Sequence, residues 1–395
     1  MDVTKTMLNT IKSFISCLTI GASLVGSAAF ADPQSTPIGE QEGPNILIVQ
    51  PSDAVTDSLW FEAVDRHAKY ISRDLNMEIE HFFAGDDRTK ISSNVIEKIK
   101  NGTKPDYLVF SNQIGIGVGL LMICENMDIK CFIYASSLAE KDVKEFGGPR
   151  QKLKNWIGQI IPDDEQAGFD LANILIAQAR EIKQKNNDNT PIRVIGITGT
   201  SSTPASVHRT NGLRRAVASY QDVELLQIVS ARWVADVAAN KYEMLTTRYG
   251  ISDVVWLANN DMALGVLERA RSLGKIPKIG GFDWVPPAIN SLSSSGLSAV
   301  IGGHDIDIAY ALNLLRAHHD GKDFIVQTGT TSLRSRLIPL TPETVNEYST
   351  FLDKLAKGDV NYQKGFSNTS HDREAFSDIS MEDFKNRISF DENLR

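Results

Sequence analysis

The sequence predicts an α/β fold with two lobes, each built on a doubly wound parallel sheet. Short apolar runs without polar alternation, such as 107–110 and 254–258, are typical of strands buried on both faces. Stretches with helical periodicity separate these runs, and the alternation of strand and helix indicates βαβ units. Hydrophobic residues make up 42% of the 395-residue chain and charged residues 23%, so each lobe can bury a core.

The strand and helix pattern occurs once in each half of the chain. The first half contains predicted strands at 46–50, 79–83, 107–110, 131–134 and 156–161, and predicted helices at 59–75, 92–101 and 119–126. The second half contains predicted strands at 193–198, 223–229, 254–258, 278–282 and 297–301, and predicted helices at 167–185, 206–220, 233–249 and 262–273. Another helix is predicted over 306–320 because Gly321 follows it, and glycine commonly ends a helix.

The N-terminal segment has the pattern of a secretory signal peptide. Two lysines provide positive charge, residues 14–30 are largely apolar, and the sequence AFA at 29–31 has the small residues that signal peptidase requires. A membrane anchor is the alternative, but the apolar run is short and contains glycine and serine. We therefore expect cleavage after Ala31 and a mature protein in the periplasm.

Charge and motif content argue against several classes of function. A net charge of −8 disfavours binding to nucleic acid or anionic lipid. The glycine-rich turn at 115–119 lacks the spacing of a dinucleotide-binding motif, and hydrolase, metalloprotease and P-loop motifs are missing from the sequence. We therefore expect no cofactor, no metal and no enzymatic activity. Cys124 and Cys131 leave two alternatives open, a disulfide in an oxidising compartment or two buried thiols.

Candidate ligand-binding residues follow the predicted strands, because ligands of open α/β sheets bind beyond the carboxyl ends of the strands. Ser58, Trp60 and Phe61 follow the first strand. We expect one aromatic ring of this pair to face the core and the other to form an exposed stacking platform. The alternative is that the second ring only covers the surface of its lobe.

Polar groups also follow later strands. Asn112 follows the third strand, and Asn259 follows 254–258, where it is either a helix N-cap or an amide for ligand hydroxyl groups. Asp283 follows 278–282 and lies next to Trp284, which combines a carboxylate with a flat apolar face. We interpret the acids at 163–165 as the first turn of a helix rather than as a general acid and base.

Several segments together resemble a known family. These are NNDMALGV at 259–266, IGGFDW at 279–284 and the R-x-x-G pattern at 209–212, with weaker support from DSLWFEAV at 57–64 and IIPDDEQAG at 160–168. Over about residues 45–340 the chain is similar to the type I periplasmic binding proteins of the ribose- and galactose-binding group, which share their core with lac-repressor-like ligand domains. The resemblance implies two lobes joined by three strands, with a sugar or related polar molecule between them.

The resemblance also implies a division of the chain into segments. The expected segments are a signal peptide at 1–31, a linker at 32–44, an N-terminal lobe at 45–161 plus 303–325, a C-terminal lobe at 162–302 plus 326–340, and a polar C-terminal extension at 341–395. His304 follows two glycines where the chain is expected to cross between lobes, so it faces either the ligand or the hinge. A ligand-facing imidazole would make binding sensitive to pH.

Matched to the family, Trp60, Phe61 and Trp233 occupy positions of ligand-facing aromatic rings, whereas Asn259 and Asp283 occupy hydrogen-bonding positions. The chain departs from relatives that bind ribose. Ser136 lies where they carry an Asp-Arg pair, Val207 replaces a ligand-binding arginine, and Gly303-His304 replaces a glutamine. We therefore expect a ligand other than ribose itself, one that is larger, less hydroxylated or held differently.

The expected function is that of a periplasmic solute-binding protein that closes around a sugar-like small molecule and delivers it to an ABC permease. One alternative is a receptor that signals to a membrane sensor kinase or cyclase, and another is a periplasmic enzyme. The expected protein is a monomer that binds no nucleic acid. The expected ligand-binding residues are Ser58, Trp60, Phe61, Asn112, Ser136, Trp233, Asn259, Asp283 and His304.

Overall fold

The computed structural model describes residues 42–50, 59–85, 87–112, 115–294, 296–362 and 378–390. The predicted signal peptide, its cleavage site, most of the linker and Ser58 lie outside this part of the chain. The described helices include none with the length and hydropathy that a membrane crossing requires.

The first sheet contains the strands of the first half of the chain. They are β1 (Asn45–Gln50), β2 (Glu78–Phe83), β3 (Tyr107–Phe110), β4 (Lys130–Tyr134) and β5 (Trp156–Pro162), joined by β11 (Ser332–Arg336) and β13 (Asp378–Ser380) from the end of the chain. The strands pair in parallel in the order β13-β11-β5-β4-β3-β1-β2. The connecting helices are α1 (Leu59–Asp74), α2 (Ile91–Asn101), α3 (Gly117–Met127) and α4 (Glu140–Phe146).

The second sheet repeats this plan. Its strands are β6 (Ile192–Thr198), β7 (Val223–Ser230), β8 (Val254–Leu257), β9 (Lys278–Phe282), β10 (Ala299–Gly302) and β12 (Ile338–Leu340). They pair in the order β12-β10-β9-β8-β6-β7, and β12 is antiparallel to β10 while the other pairs are parallel. The helices of this lobe are α5 (Asp164–Lys185), α6 (Pro204–Ala218), α7 (Ala235–Tyr249), α8 (Asn260–Ser272) and α9 (Pro286–Ser293).

Up to β12 the described chain passes between the two sheets at three places, and after β12 the C-terminal extension leads back to β13 of the first sheet. The three places are the connections from β5 to α5, from β10 to α10 (Asp307–His319) and from β11 to β12. The predicted fold class, two parallel-sheet lobes with a three-strand hinge, is therefore confirmed. The boundary of the lobes differs near the end of the chain. We expected 326–340 in the C-terminal lobe, but β11 pairs with β5 in the first sheet and only β12 lies in the second.

The central strands are buried because helices cover both faces of each sheet, whereas the edge strands β2 and β7 are partly exposed. The residues of β3 and β8 are all buried, as the apolar runs predicted. In the second lobe α5 and α6 approach closely at Gly168 and Gly212, where an added Cβ atom would collide with the backbone of the facing helix. This contact explains the glycine of the R-x-x-G pattern.

Helix α11 (Ile325–Thr328) precedes β11. The C-terminal extension begins with a turn of 3-10 helix at Val345–Glu347 and continues in α12 (Ser349–Lys357). Its last described part is β13 followed by α13 (Met381–Phe390). Phe351 and Leu355 of α12 are buried. In the first lobe, Cys124 and Cys131 form a disulfide with a Cα–Cα distance of 6.2 Å, which resolves the alternative left open by the sequence.

Candidate functional site

Three polar side chains meet where the second sheet approaches the hinge. Asp283 follows β9, His304 follows β10, and Arg209 lies on α6. The Asp283 Oδ1 atom lies 3.6 Å from His304 Nε2 and 3.9 Å from Arg209 Nη1. Arg209 Nη2 lies 3.2 Å from His304 Nε2, which brings the three groups into one cluster. Two of them, Asp283 and His304, were predicted from the sequence, and the structure brings them together.

Asp283 has the properties of a group that awaits a hydrogen-bond donor. Its backbone is left-handed with φ 87°, a conformation that costs energy for a residue other than glycine and is often retained at functional sites. Its residue exposure is 7%, and no described residue donates a hydrogen bond to its carboxyl oxygens. Burial raises the pKa of Asp283 to about 7, although Arg209 opposes the change. A ligand hydroxyl group would supply the missing donor.

His304 is neutral in this environment. Burial, together with the positive charge of Arg209, lowers its pKa to about 3. Our expectation that His304 makes binding sensitive to pH is therefore wrong, because the imidazole does not titrate near neutral pH. Its Nδ1 atom is buried and has no hydrogen-bond partner among the described residues. The group that titrates near neutral pH is instead the neighbouring carboxyl of Asp283.

Arg209 is held by a buried ion pair that sequence reasoning missed. Its Nε atom donates to Asp164 Oδ1 at 2.7 Å, its Nη1 donates to the carbonyl oxygen of Ala258 at 2.8 Å, and its guanidinium lies over the ring of Phe282. Burial raises the pKa of Asp164, and Arg209 opposes this change. We interpreted the acids at 163–165 only as a helix start. Asp163 does accept a hydrogen bond as the N-cap of α5, but the carboxylate of Asp164 is 4% exposed and fixes Arg209 beside the site.

Trp60 and Phe61 open α1 and are both buried, with exposures of 8% and 4%. The expectation that one ring of this pair is exposed is wrong for this conformation. The Trp60 ring lies nearly parallel to two other rings, Tyr134 at 6.4 Å and His304 at 5.7 Å between centroids. The contact with His304 explains the burial, because it covers a face of the indole that would otherwise line the gap between the lobes.

The ends of β1, β3 and β4 present buried polar atoms that lack a partner among the described residues. They are Gln50 Oε1, Ser111 Oγ, Tyr134 Oη and Ser136 Oγ. Burying such groups without hydrogen bonds is unfavourable, so they are candidates for contacts with a ligand.

Asn112, by contrast, has hydrogen-bond partners within the protein. Its side-chain N–H donates to the carbonyl oxygen of Ser137, and its side-chain oxygen accepts from the backbone N–H of Gly117. This side chain therefore fixes the turn before α3, and its predicted role in ligand binding is not supported by its geometry.

Asn259 fulfils the simpler of its two predicted roles. Its side-chain oxygen accepts a hydrogen bond from Met262 N at 3.0 Å, which makes it the N-cap of α8. The next residue, Asn260, donates its amide to the carbonyl oxygen of Asp283 at 2.5 Å. This bond helps to hold the left-handed backbone of Asp283, so Asn260 supports the site although our sequence analysis did not select it.

Trp233 lies at the carboxyl end of β7, the edge strand of the second sheet. It is partly buried, has a left-handed backbone with φ 71°, and packs so closely on Gly199 that an added Cβ atom would overlap its indole. Strands β8 and β6 separate β7 from β9, which corresponds to about 14 Å between the two strands. Trp233 therefore lies at the outer part of the same sheet edge as Asp283, and a ligand contact with it remains a prediction.

Comparison with known proteins agrees with the arrangement of two lobes. A family model described as a periplasmic binding protein domain matches residues 158–323. A periplasmic sugar-binding protein from Pseudomonas fluorescens has the same fold, with a TM-score of 0.69 at 24% sequence identity over 82% of this chain and 96% of that chain. The chain is similar to the type I periplasmic binding proteins in its fold and, over residues 158–323, in its sequence. Its predicted recognition is therefore confirmed.

Other binding proteins share this similarity. A xylitol-binding protein of Mycolicibacterium smegmatis is 25% identical over 52% of this chain and 60% of its own length. The ribose import binding protein RbsB of Haemophilus influenzae is 28% identical over 38% of this chain and 49% of its own length. These matches therefore span less than two thirds of either relative. A solute-binding protein from Actinobacillus succinogenes with bound D-allose has the same fold at a TM-score of 0.63 and 16% identity, covering 77% of this chain and 100% of that chain.

Proposed function

We propose that this periplasmic binding protein closes around a sugar or sugar-like small molecule and delivers it to an ABC importer. The observation that carries the proposal is that the His304 imidazole lies against both the Trp60 indole and the Asp283 carboxyl group, and this carboxyl group has no hydrogen-bond donor among the described residues. A sugar has an apolar C–H face and a rim of hydroxyl groups, and the ring and the carboxyl are suited to these two features.

The first lobe adds hydrogen-bonding capacity at the same edge. The hydroxyl groups of Ser111 and Ser136 are buried and lack partners among the described residues, so ligand hydroxyl groups would stabilise them. Each such bond contributes about 1 kcal/mol, and a bond to the ionised carboxyl of Asp283 contributes more. Several of these contacts together with ring stacking are compatible with a micromolar dissociation constant, about −8 kcal/mol.

Names of the relatives narrow the chemistry of the proposed ligand to sugars and polyols. They include a xylitol-binding protein, a ribose import protein and a structure with bound D-allose. Ser136 and Val207 replace charged groups that the ribose-binding relatives are expected to carry, so we favour a polyol or a sugar other than ribose. A neutral ligand also agrees with a cluster in which one arginine faces several carboxyl groups.

Ligand entry requires motion of the lobes. The Trp60 ring is 8% exposed because His304 and Tyr134 cover it, so a ligand reaches its face only when these contacts separate. Hinge motion of the two lobes about the three connecting strands would separate them, with a few residues absorbing the change in backbone angles. Closure around the ligand would then remove water from the new hydrogen bonds.

The test is a thermal-shift screen with xylitol, D-allose, D-ribose and related sugars and polyols, followed by calorimetry on the compounds that stabilise the protein. Asp283→Ala should abolish binding of such a compound, and Trp60→Ala should weaken it strongly. Asp128→Ala changes an exposed carboxylate of the first lobe and should bind as the parent does. Equal binding by the Asp283→Ala variant and the parent would refute the site, and turnover of a bound sugar would refute the binding role in favour of an enzyme.

A second candidate is a receptor that signals to a membrane sensor kinase or cyclase. The replacement of charged ligand groups by Ser136 and Val207, together with the extension after Thr341, favours it. The two roles differ in the partner that the closed protein activates. Stimulation of a reconstituted permease ATPase by the liganded protein would support import, whereas stimulation of a sensor kinase alone would support signalling.

We also propose that the chain is exported and cleaved after Ala31. The family is periplasmic, and the N-terminal segment has the pattern that signal peptidase recognises. Mass spectrometry of the protein recovered from a periplasmic extract should give a mature N-terminus at Asp32. A protein that retains residues 1–31 in this fraction would contradict the proposal.

A further inference from the structure

The C-terminal extension contacts both lobes and the hinge. We call its described residues, 341–362 and 378–390, the brace. It leaves the second lobe after β12, runs through α12 to the first lobe, and returns in α13 across the residues that join the lobes. The brace contacts the rest of the protein at three places, which are the second lobe, the first lobe and the hinge.

On the second lobe, the brace is anchored next to the ligand site. The ring of Tyr348 packs edge to face on Trp284 with 5.2 Å between centroids, and Trp284 directly follows Asp283. Trp284 is 5% exposed and donates its indole N–H to the carbonyl oxygen of Ile338 at 3.1 Å. A displacement of Tyr348 therefore acts on a side chain that is fixed beside the site.

On the first lobe, the brace is anchored on α1. The backbone N–H of Tyr362 donates to Asp74 Oδ2 at 3.3 Å, and the Tyr362 hydroxyl lies 2.5 Å from His67 Nδ1. Gly358 has a left-handed φ of 72° and lies against the ring of Tyr70, where an added Cβ atom would collide. Tyr362 is fully buried, so this end of the brace is fixed as firmly as a core element.

At the hinge, α13 packs on the connection between β10 and α10. The side chain of Met381 lies against Gly303, whose left-handed φ of 91° marks the sharp turn before His304. Phe384 then contacts both Tyr362 and Phe351, which joins α13 to the rest of the brace. The hinge turn is therefore packed by the brace.

A chain of side chains leads from the brace to the ligand site. His67 Nε2 lies 3.0 Å from Asp305 Oδ2, and its other ring nitrogen contacts the Tyr362 hydroxyl. Asp305 is 5% exposed and directly follows His304, whose ring stacks on Trp60. The imidazole of His67 thus holds the backbone that carries His304.

We propose that the brace favours the closed arrangement of the lobes and that Tyr362, acting through His67 and Asp305, positions His304 in the ligand site. Opening moves the second-lobe anchor at Tyr348 away from the first-lobe anchor at Tyr362. These anchors lie at opposite ends of one helical segment, so opening disrupts contacts at one of them. Loss of one hydrogen bond then raises the ratio of open to closed molecules about fivefold. The inference rests on the lobe motion of the proposed function.

The test measures the distance between the lobes without a ligand. Spin labels are attached at Val143 in α4 and Val207 in α6, which are 42% and 43% exposed and each lie shortly after the carboxyl end of a strand. The full-length parent should give one short distance by pulsed electron resonance. Tyr362→Phe keeps the ring and removes the hydroxyl. In this variant the weight of a longer distance, relative to the short one, should be about fivefold greater than in the parent. Adding Met381→Ala should increase that weight further.

Tyr220→Phe is the matched control, because its hydroxyl donates a hydrogen bond to Asn173 within the second lobe alone. This variant should keep the distances of the parent. Unchanged distances in the Tyr362→Phe, Met381→Ala double variant, with circular dichroism like that of the parent, would overturn the proposal. Met381→Leu preserves an apolar side chain at Gly303, so the Tyr362→Phe, Met381→Leu double variant should give the distances of Tyr362→Phe alone, a rescue that a general loss of stability would not give.

The result is distinguishable from a failure of the proposed function. The distance measurement requires no ligand, so it tests the brace even if no sugar binds to the parent. Where a sugar does bind, the Tyr362→Phe variant should bind it more weakly, by the factor by which its closed fraction falls in the distance measurement. A variant that opens and yet binds each sugar as the parent does would refute the link between the brace and the site.

Discussion

Replacement of Asp283 by asparagine should change the pH dependence of stability in a direction that the site geometry fixes. The carboxyl has a pKa of about 7 in the folded protein and an ordinary value of 3.8 in the unfolded chain. The folded state therefore holds its proton more tightly, and the contribution of this group to stability falls as pH rises from about 4 to about 7. Asparagine has no charge to bury and tolerates the left-handed backbone at this position.

The magnitude follows from the difference between the two pKa values. Each pH unit between the two pKa values corresponds to about 1.4 kcal/mol of stability. The raised pKa of Asp283 therefore lowers the free energy of unfolding by about 4 kcal/mol at pH 8 and by about 1.6 kcal/mol at pH 5. D283N should therefore gain stability relative to the parent by about 2.5 kcal/mol between pH 5 and pH 8. His304 titrates with the opposite sign, since its lowered pKa reduces stability as pH falls below 6.5, but it is present in both proteins and cancels in the comparison.

The assay is urea unfolding of the ligand-free parent and D283N at pH 5 and pH 8, with the free energy of unfolding extrapolated to water. D128N is the control, because Asp128 also has a left-handed backbone but is exposed. Its difference from the parent should be the same at both pH values. A D283N difference that is equal at pH 5 and pH 8 would show that the carboxyl is not desolvated as described.

Three further predictions concern the supports of the site and of the first lobe. Asn259→Ala should lower the unfolding free energy by about 1 kcal/mol in urea unfolding through loss of the N-cap, while ligand binding persists; loss of binding would restore a ligand role for this amide. Arg209→Met should lower the unfolding free energy in urea by about 3–5 kcal/mol, because it leaves a buried carboxylate unpaired. Arg215→Met removes an exposed ion pair and should lower it by less than about 1 kcal/mol. Equal losses in the two variants would contradict the role of the buried pair. Reduction of the Cys124–Cys131 disulfide should lower stability by about 2.5 kcal/mol, measured by calorimetry with and without reductant; an unchanged melting temperature would contradict it.

The sheets were predictable because their strands carry a strong local signal. Buried parallel strands must be apolar on both faces, so runs such as 107–110 stand out without knowledge of their partners. Short elements lack such a signal. Helix α4 buries none of its residues, and β12 is only three residues long, so both depend on neighbours that are distant in the sequence. The placement of β11 also depended on its pairing with β5.

The site was predictable only in part, for a similar physical reason. Asp283 was identified because it follows a strand end, where the sheet geometry places ligands. The pairing of Asp164 with Arg209 spans 45 residues, and each residue has a sufficient local role as part of a helix, so the sequence alone does not reveal the pair. The burial of Trp60 likewise results from a contact with His304, which follows β10 of the other sheet.

The stacking of Trp60 on His304 gives the molecule an intrinsic optical reporter. Of the five tryptophans in the chain, Trp156 and Trp256 are sealed in the two cores, and their emission should be insensitive to lobe movement. Trp60 is different, because separation of the lobes would expose its indole to water and shift its emission to longer wavelength. Opening and closing of the unlabelled protein should therefore be visible in a simple fluorescence spectrum.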